Sequence, residues 1–134
     1  MNLNKKIIMV VDDDRTHRSL MNEIVEGAGF KVITADSGQS AIDHLHNYGE
    51  NVSLILLDYE MPGMNGVETV KEIREGQNKG SWPRIPVIAF TANREDESKE
   101  QCLAAGMDDF LSKEVWMPRW KSDLENIIEE WTSI

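Results

Sequence analysis

Between Val52 and Leu57 the chain runs through Leu54-Ile55-Leu56-Leu57 with no polar residue at alternate positions. A strand with one wet face alternates apolar and polar residues, so an unbroken apolar run of this length predicts a strand covered on both faces. Strands of that kind belong to parallel sheets flanked by helices, because a parallel crossover is normally a helix. Ile7–Val11 repeats the pattern. Lys31–Ala35 reads as a shorter strand, Ile85–Phe90 as another with Pro86 near its start, and Phe110–Leu111 as a short last one.

Helical periodicity fills the gaps. Asp14 caps a helix whose Leu20, Met21, Ile24, Val25 and Ala28 share one side, and Gly29 stops it. Ser37 caps a second helix with Ala41, Ile42 and Leu45 on its apolar face. Asp58–Met64 is a loop punctuated by Pro62 and Gly63. Asn65 and Glu68 then form a capping-box pattern, with Val67, Val70 and Ile73 as the buried stripe and Gly76 as the expected end. Gln77–Arg84 reads as loop. Arg94–Ala105 is helical yet poor in apolar residues, with Cys102, Leu103 and alanines as its only face. A last helix has Pro118 in its first turn and Trp120, Leu124, Ile127, Ile128 and Trp131 along one side. The alternation βαβαβαβαβα predicts an α/β fold, a parallel sheet with helices on both faces, and right-handed crossovers leave few topologies. The flavodoxin-like, doubly wound, five-stranded order 2-1-3-4-5, here with five helices, is a common one and is the expected arrangement.

Composition narrows the function. The 134 residues suit one domain, with about 68–70% of the unfolded surface available for burial. Fourteen Lys and Arg against 24 Asp and Glu give a net charge of −10, which argues against direct nucleic-acid binding. Cys102 is the single cysteine, so no internal disulfide and no Cys-based zinc site can form; a small packed residue is the simpler reading. No apolar run approaches the roughly 20 residues a bilayer requires, and the start of the chain lacks a secretory pattern. A cytoplasmic protein without membrane insertion is expected. His44 and His46 stand two apart and would face different ways on a helix, and His17 carries no clear role. Trp116, Met117 and Trp120 suit either an interface or packing of the last helix, and Glu125, Glu129 and Glu130 read as a solvated face.

Parallel strands share a carboxyl edge, and the residues ending them carry chemistry. Asp12 and Asp13 end the first strand, Asp58 the third, Thr91 the fourth and Lys113 the fifth. Three carboxylates in one crevice repel one another unless a cation joins them. Mg²⁺ is the natural choice, being a hard ion that takes oxygen ligands. Lys113 offers a second positive charge and Thr91 a hydrogen bond to phosphoryl oxygens. Asp58, alone at the end of the central strand, is the best candidate nucleophile, leaving the Asp12–Asp13 pair to the metal.

Four segments in order now carry a resemblance: Val10-Val11-Asp12-Asp13-Asp14, Leu56–Gly66 with its Asp58-Tyr59-Glu60-Met61-Pro62-Gly63 core, Ile88–Asn93, and Ala105–Lys113. The chain resembles a two-component response-regulator receiver domain of the CheY-like superfamily, over nearly its full length. The resemblance implies that Asp58 takes a phosphoryl group from a phosphohistidine on a histidine kinase or histidine phosphotransfer protein. It implies Mg²⁺ held by Asp12, Asp13, Asp58 and the backbone carbonyl of Glu60, with Thr91 and Lys113 on the phosphoryl oxygens. Thr91 and Phe110 would form the switch pair, altering the face made by the fourth helix, fifth strand and fifth helix for a downstream protein partner. Residues 1–134 would be one receiver domain and not a multiple-turnover enzyme on a separate substrate. Whether it stands free or belongs to a hybrid kinase, and whether it dimerises through the fourth and fifth helices, the sequence leaves open.

Two departures stand out. Glu114 follows Lys113 where the family usually has proline, often cis. A non-proline cis bond costs about 2.5–4 kcal/mol, so a trans bond and a reshaped loop are expected. Glu60 and Asn93 lie two positions past Asp58 and Thr91, where the family tunes phosphoryl lifetime. Other classes remain to be weighed. An aspartate-nucleophile phosphatase would use Glu60 as the second acid, although the Asp12–Asp13 pair and Thr91 suit the receiver better. A flavodoxin-like cofactor binder needs a hydroxyl- or glycine-rich phosphate loop after the first strand, where Asp12-Asp13-Asp14 stands instead. A receiver acting only as an interaction surface is hinted at by Glu114 alone.

Overall fold

The computed structural model describes the backbone of residues 7–91, 96–112 and 120–132, and the side chains of 7–90, 99–111 and 121–132. The elements follow in the order β1 (Ile7–Val11), α1 (Arg15–Gly27), β2 (Lys31–Ala35), α2 (Gly38–Tyr48), a 3-10 turn (Gly49–Asn51), β3 (Val52–Asp58), α3 (Gly66–Asn78), β4 (Val87–Thr91), α4 (Asp96–Ala105), β5 (Asp109–Ser112) and α5 (Trp120–Thr132). The five strands form one sheet in the order β2-β1-β3-β4-β5, and every neighbouring pair is parallel.

The unbroken apolar runs have the predicted cause. Along β3, Leu54 and Leu56 face the core under α1 and α5, while Ile55 and Leu57 face the core under α2, α3 and α4. In β1, Ile8 and Val10 divide from Met9 and Val11 in the same way; in β4, Ile88 and Phe90 divide from Val87 and Ala89. All of these are essentially solvent-free. Burying each large aliphatic side chain contributes about 1.5–3 kcal/mol, so the three central strands anchor the fold. The edge strands are only partly covered: Val32, Ile33, Phe110 and Leu111 are half-buried.

The helix starts follow the expected caps. The Asp14 carboxylate accepts from the His17 N–H at 3.1 Å, and the Ser37 hydroxyl from the Ser40 N–H at 3.1 Å. Asn65 and Glu68 close a full capping box, at 2.9 Å and 3.3 Å. Gly29 ends α1 with φ of +94°, a conformation that favours glycine.

Several boundaries differ from expectation. Gly76 does not end α3, which continues to Asn78 and takes two residues of the expected Gln77–Arg84 loop. Gly76 is a glycine for packing: a Cβ there would lie 2.0 Å from Cζ2 of Trp82. Trp82 folds back into the core, 5% exposed, and donates its indole N–H to the Ile73 carbonyl at 2.9 Å. Ile85 and Pro86 precede β4 rather than opening it; Ile85 is nevertheless buried, and the Pro86 carbonyl accepts from Ile55 N–H at 3.0 Å. Ala28 is exposed, serving as the C-cap of α1 instead of extending its apolar stripe. Leu20 and Val67 are half-buried. In α5, Leu124 and Ile128 are buried and Ile127 and Trp131 pack beside them. Cys102 is fully buried, and burial pushes its thiol up to about 11. His44 turns toward β2, with Nε2 2.9 Å from the Thr34 carbonyl oxygen, whereas the ring of His46 meets Trp82 edge-on at 5.1 Å. Glu125, Glu129 and Glu130 are exposed, as a solvated face should be. Pro118, Trp116, Met117 and the side chain of Trp120 lie outside the described residues.

Candidate functional site: the carboxyl edge of the sheet

β1 and β3 are hydrogen-bonded neighbours, with Val11 opposite Leu57. The next residues along each strand therefore emerge side by side. Asp12 is 1% exposed and Asp58 4% exposed, while Asp13 is open to solvent. Carboxylate oxygens of Asp12, Asp13 and Asp58 all lie within 4.8 Å of one another.

Backbone N–H groups orient the two buried carboxylates. Asp12 Oδ1 accepts from the Asp14 N–H at 2.9 Å, and Asp58 Oδ1 from the Glu60 N–H at 3.1 Å. The loop after Asp58 is held as firmly. Tyr59 donates its N–H to the Phe90 carbonyl at 2.7 Å and accepts from Gly66 N–H at 3.0 Å. The second contact requires glycine, because a Cβ on Gly66 would stand 2.6 Å from the Asp58 carbonyl oxygen. Local order here is thus built by short loops between rigid elements, which places a site more precisely than a long free loop does.

The other predicted residues are placed unevenly. Phe90 pairs with Asp58 across β3 and β4, so the Thr91 backbone comes next on the same edge, opposite Ser112 of β5. The Thr91 side chain, Asn93, Lys113 and Glu114 lie outside the described residues. Glu60 has an exposed side chain, and its N–H is the group on Asp58. Phe110, half-buried on β5 beside β4, packs against the core under α2, α3 and α4. A groove of about 490 Å³ next to the acids is lined by Tyr59, Glu60, Met61, Pro62 and Asn65.

Two residues join the site without having been assigned to it. His17 Nδ1 lies 3.7 Å from Asp12 Oδ2 and 3.9 Å from Asp14 Oδ2. Arg18 donates to the Asp12 carbonyl at 2.8 Å. Their signal was the cap at Asp14: the first turn of a capped helix must sit back over the strand end that precedes it. The donor set of three clustered carboxylates suits a hard divalent cation, and its oxygens fit Mg²⁺ in kind.

The chain matches the response regulator receiver domain over residues 8–125 and belongs to that family. It is 34% identical over 125 residues to hybrid signal transduction histidine kinase L of Dictyostelium discoideum, covering 92% of this chain but 7% of that protein. Among solved structures, the receiver domain of sensor histidine kinase PA1611 from Pseudomonas aeruginosa, with magnesium in its cleft, has a TM-score of 0.81 at 28% identity and covers 96% of this chain and 98% of that one. The receiver of Saccharomyces cerevisiae Ssk1, crystallised with the phosphotransfer protein Ypd1, shares the fold at a TM-score of 0.83 and 23% identity, over 96% of this chain and 89% of that one. The chain is a receiver domain of the two-component type, a family in which phosphoryl transfer to an aspartate is the general role. Among the described residues no helix is long and apolar enough to cross a membrane.

Proposed function

We propose that Asp58 is the phosphoacceptor of this receiver and that its donor is a phosphohistidine on a histidine kinase or phosphotransfer protein. The observation that carries the reading is the meeting of Asp12, Asp13 and Asp58 at one strand edge, with Asp58 buried and oriented by the Glu60 N–H. Asp12, Asp13, Asp58 and the Glu60 carbonyl would hold Mg²⁺. That ion supplies positive charge against both the carboxylate repulsion and the phosphoryl oxygens.

The chain's own part is positioning. The Glu60 N–H fixes one oxygen of Asp58, and the ends of β1 and β3 keep the acids adjacent. An Asp58 carboxylate oxygen forms the new bond to phosphorus while the P–N bond of the donor breaks. Its electron pair stays on the leaving imidazole, which then takes a proton. Thr91 and Lys113 would hold the phosphoryl oxygens, and Thr91 with Phe110 would relay the event to the α4-β5-α5 face. The chain from 1 to 134 would then act as one cytoplasmic receiver domain, not as an enzyme turning over a separate substrate. Kinship with a hybrid histidine kinase supports the choice of donor.

Incubation with acetyl phosphate and Mg²⁺ should give a single acid-stable, base-labile phosphoryl adduct on the wild-type chain and none on Asp58→Asn, read by intact mass. Equal labelling of both would remove Asp58 from the role. Sustained turnover of a generic phosphomonoester would instead mark a phosphatase.

A further inference from the structure

Tyr59 sits directly after Asp58, and its hydroxyl donates to Gln101 Oε1 of α4 at 2.6 Å, across 42 positions of sequence. In this resting arrangement its N–H and carbonyl are both engaged, with Phe90 and Gly66. The helix it reaches is weakly anchored. Of the described side chains of α4, only Cys102 is fully buried; Leu103 is 42% exposed, and Lys99, Glu100, Gln101 and Ala104 face solvent. The carboxyl end of α4 is fastened by other means. Arg74 of α3 donates through Nε to the Gly106 carbonyl at 2.9 Å, and Asp108 N–H donates to the Val87 carbonyl at 2.8 Å. Among the described residues, the helix is therefore pinned at its far end, while Cys102 and one hydroxyl from the loop that carries Asp58 hold its middle.

We propose that the Tyr59–Gln101 hydrogen bond is a latch that holds α4 in its resting position and opens when Asp58 is phosphorylated. This rests on the reading of Asp58 as the phosphoacceptor. A phosphoryl group placed on Asp58 changes charge and hydrogen bonding within the segment from 58 to 60, where the Glu60 N–H already serves Asp58. Tyr59 lies inside that segment, so any rearrangement of it acts on Gln101 directly. The route is separate from a hydroxyl-and-ring exchange between Thr91 and Phe110, and both would act on the same helix. Only a contact that differs between two states can bias their balance.

The test uses the full chain as wild type, Tyr59→Phe, Gln101→Leu and the double variant. Amide hydrogen exchange is followed in α4, and beryllofluoride with Mg²⁺ is titrated by fluorine NMR. Each single variant should exchange about threefold to tenfold faster in α4, the range a lost hydrogen bond allows, with β3 unchanged. The double variant should exchange no faster than either single one, because both remove the same contact. By reciprocity, the half-saturating beryllofluoride concentration should fall by the same factor. Unchanged exchange in α4, additive effects in the double variant, or faster exchange with an unmoved beryllofluoride midpoint would each overturn the latch. A wild-type chain that forms no beryllofluoride adduct would reject the Asp58 reading and the latch with it. An adduct of equal affinity in all four chains rejects the latch alone.

Discussion

The two ends of the sheet both gather charged side chains, and they do so by opposite rules. At the carboxyl edge three carboxylates meet, all of one sign. At the amino edge one carboxylate meets two guanidinium groups. Asp108 Oδ2 takes Arg74 NH2 at 2.8 Å and the Val87 N–H at 2.8 Å, while Oδ1 takes Arg84. Arg74 goes on to the Gly106 and Ile85 carbonyls and to Gln77. Burial holds the Arg74 guanidinium below its ordinary value, with Asp108 opposing that effect. The amino-edge cluster pairs opposite charges within the fold, so it ties α3, β4 and β5 together. The three acids at the carboxyl edge share one sign, and a divalent cation is the kind of ligand that would offset them. A polar cluster that completes itself is structural; one that calls for a ligand is functional.

Substitutions at the two ends should separate along that line. Asp108→Ala leaves a largely buried Arg74 without its partner and should cost about 3 kcal/mol. Urea unfolding should show a lower midpoint with an unchanged slope; a change under 1 kcal/mol would erase the contrast. Asp12→Asn or Asp13→Asn should do the reverse. Each weakens Mg²⁺ binding by about tenfold or more, near 1.4 kcal/mol, by removing a charged ligand, while stability holds or rises slightly as repulsion is relieved. Isothermal titration and thermal melts read the two quantities side by side. A smaller effect, about 1 kcal/mol, is expected for Asn65→Ala, which removes the capping box that starts α3 beside the site. Calorimetry would detect it, and the acetyl phosphate reaction should survive.

The last expected effect belongs to neither end. The Cys102 thiol is raised in the folded state, so its neutral form is the one that folding favours. The associated stability is complete below the unfolded value near 9 and is lost as pH climbs through about 11. Cys102→Ala should flatten the decline of stability over that interval. At neutral pH the native thiol should resist a disulfide reagent that labels the unfolded chain at once.

Reading the residues in order recovered the five strands and the three acids that meet at the carboxyl edge, because each rests on a short-range signal; the strand order followed from the common doubly wound arrangement instead. Leu54–Leu57 shows two-sided burial through its own lack of polar alternation, and Asp12, Asp13 and Asp58 are marked by their place at strand ends. Boundaries shifted where a distant residue intervened. Gly76 looks like a stop in sequence, yet it lies inside α3 because Trp82 needs the space a Cβ would take. Pro86 sits outside β4, since it has no N–H to give the ladder, and its carbonyl is used by Ile55 instead. His17, set aside among the histidines, stands over Asp12 because the cap at Asp14 turns the first helical turn back on the strand end.

The sequence by itself determined which segments are strands, which faces are buried and which residue types crowd the carboxyl edge. Periodicity and chain direction are local properties, and a parallel sheet puts all its strand ends on one side. Only the tertiary structure decided which partners meet. Arg74 and Asp108 are 34 positions apart, and Tyr59 and Gln101 are 42 apart. Neither member of either pair carries a local mark of the other. A hydrogen bond is set by a distance of a few ångströms in space, and a chain written in order holds no such distance until the sheet and its helices have packed.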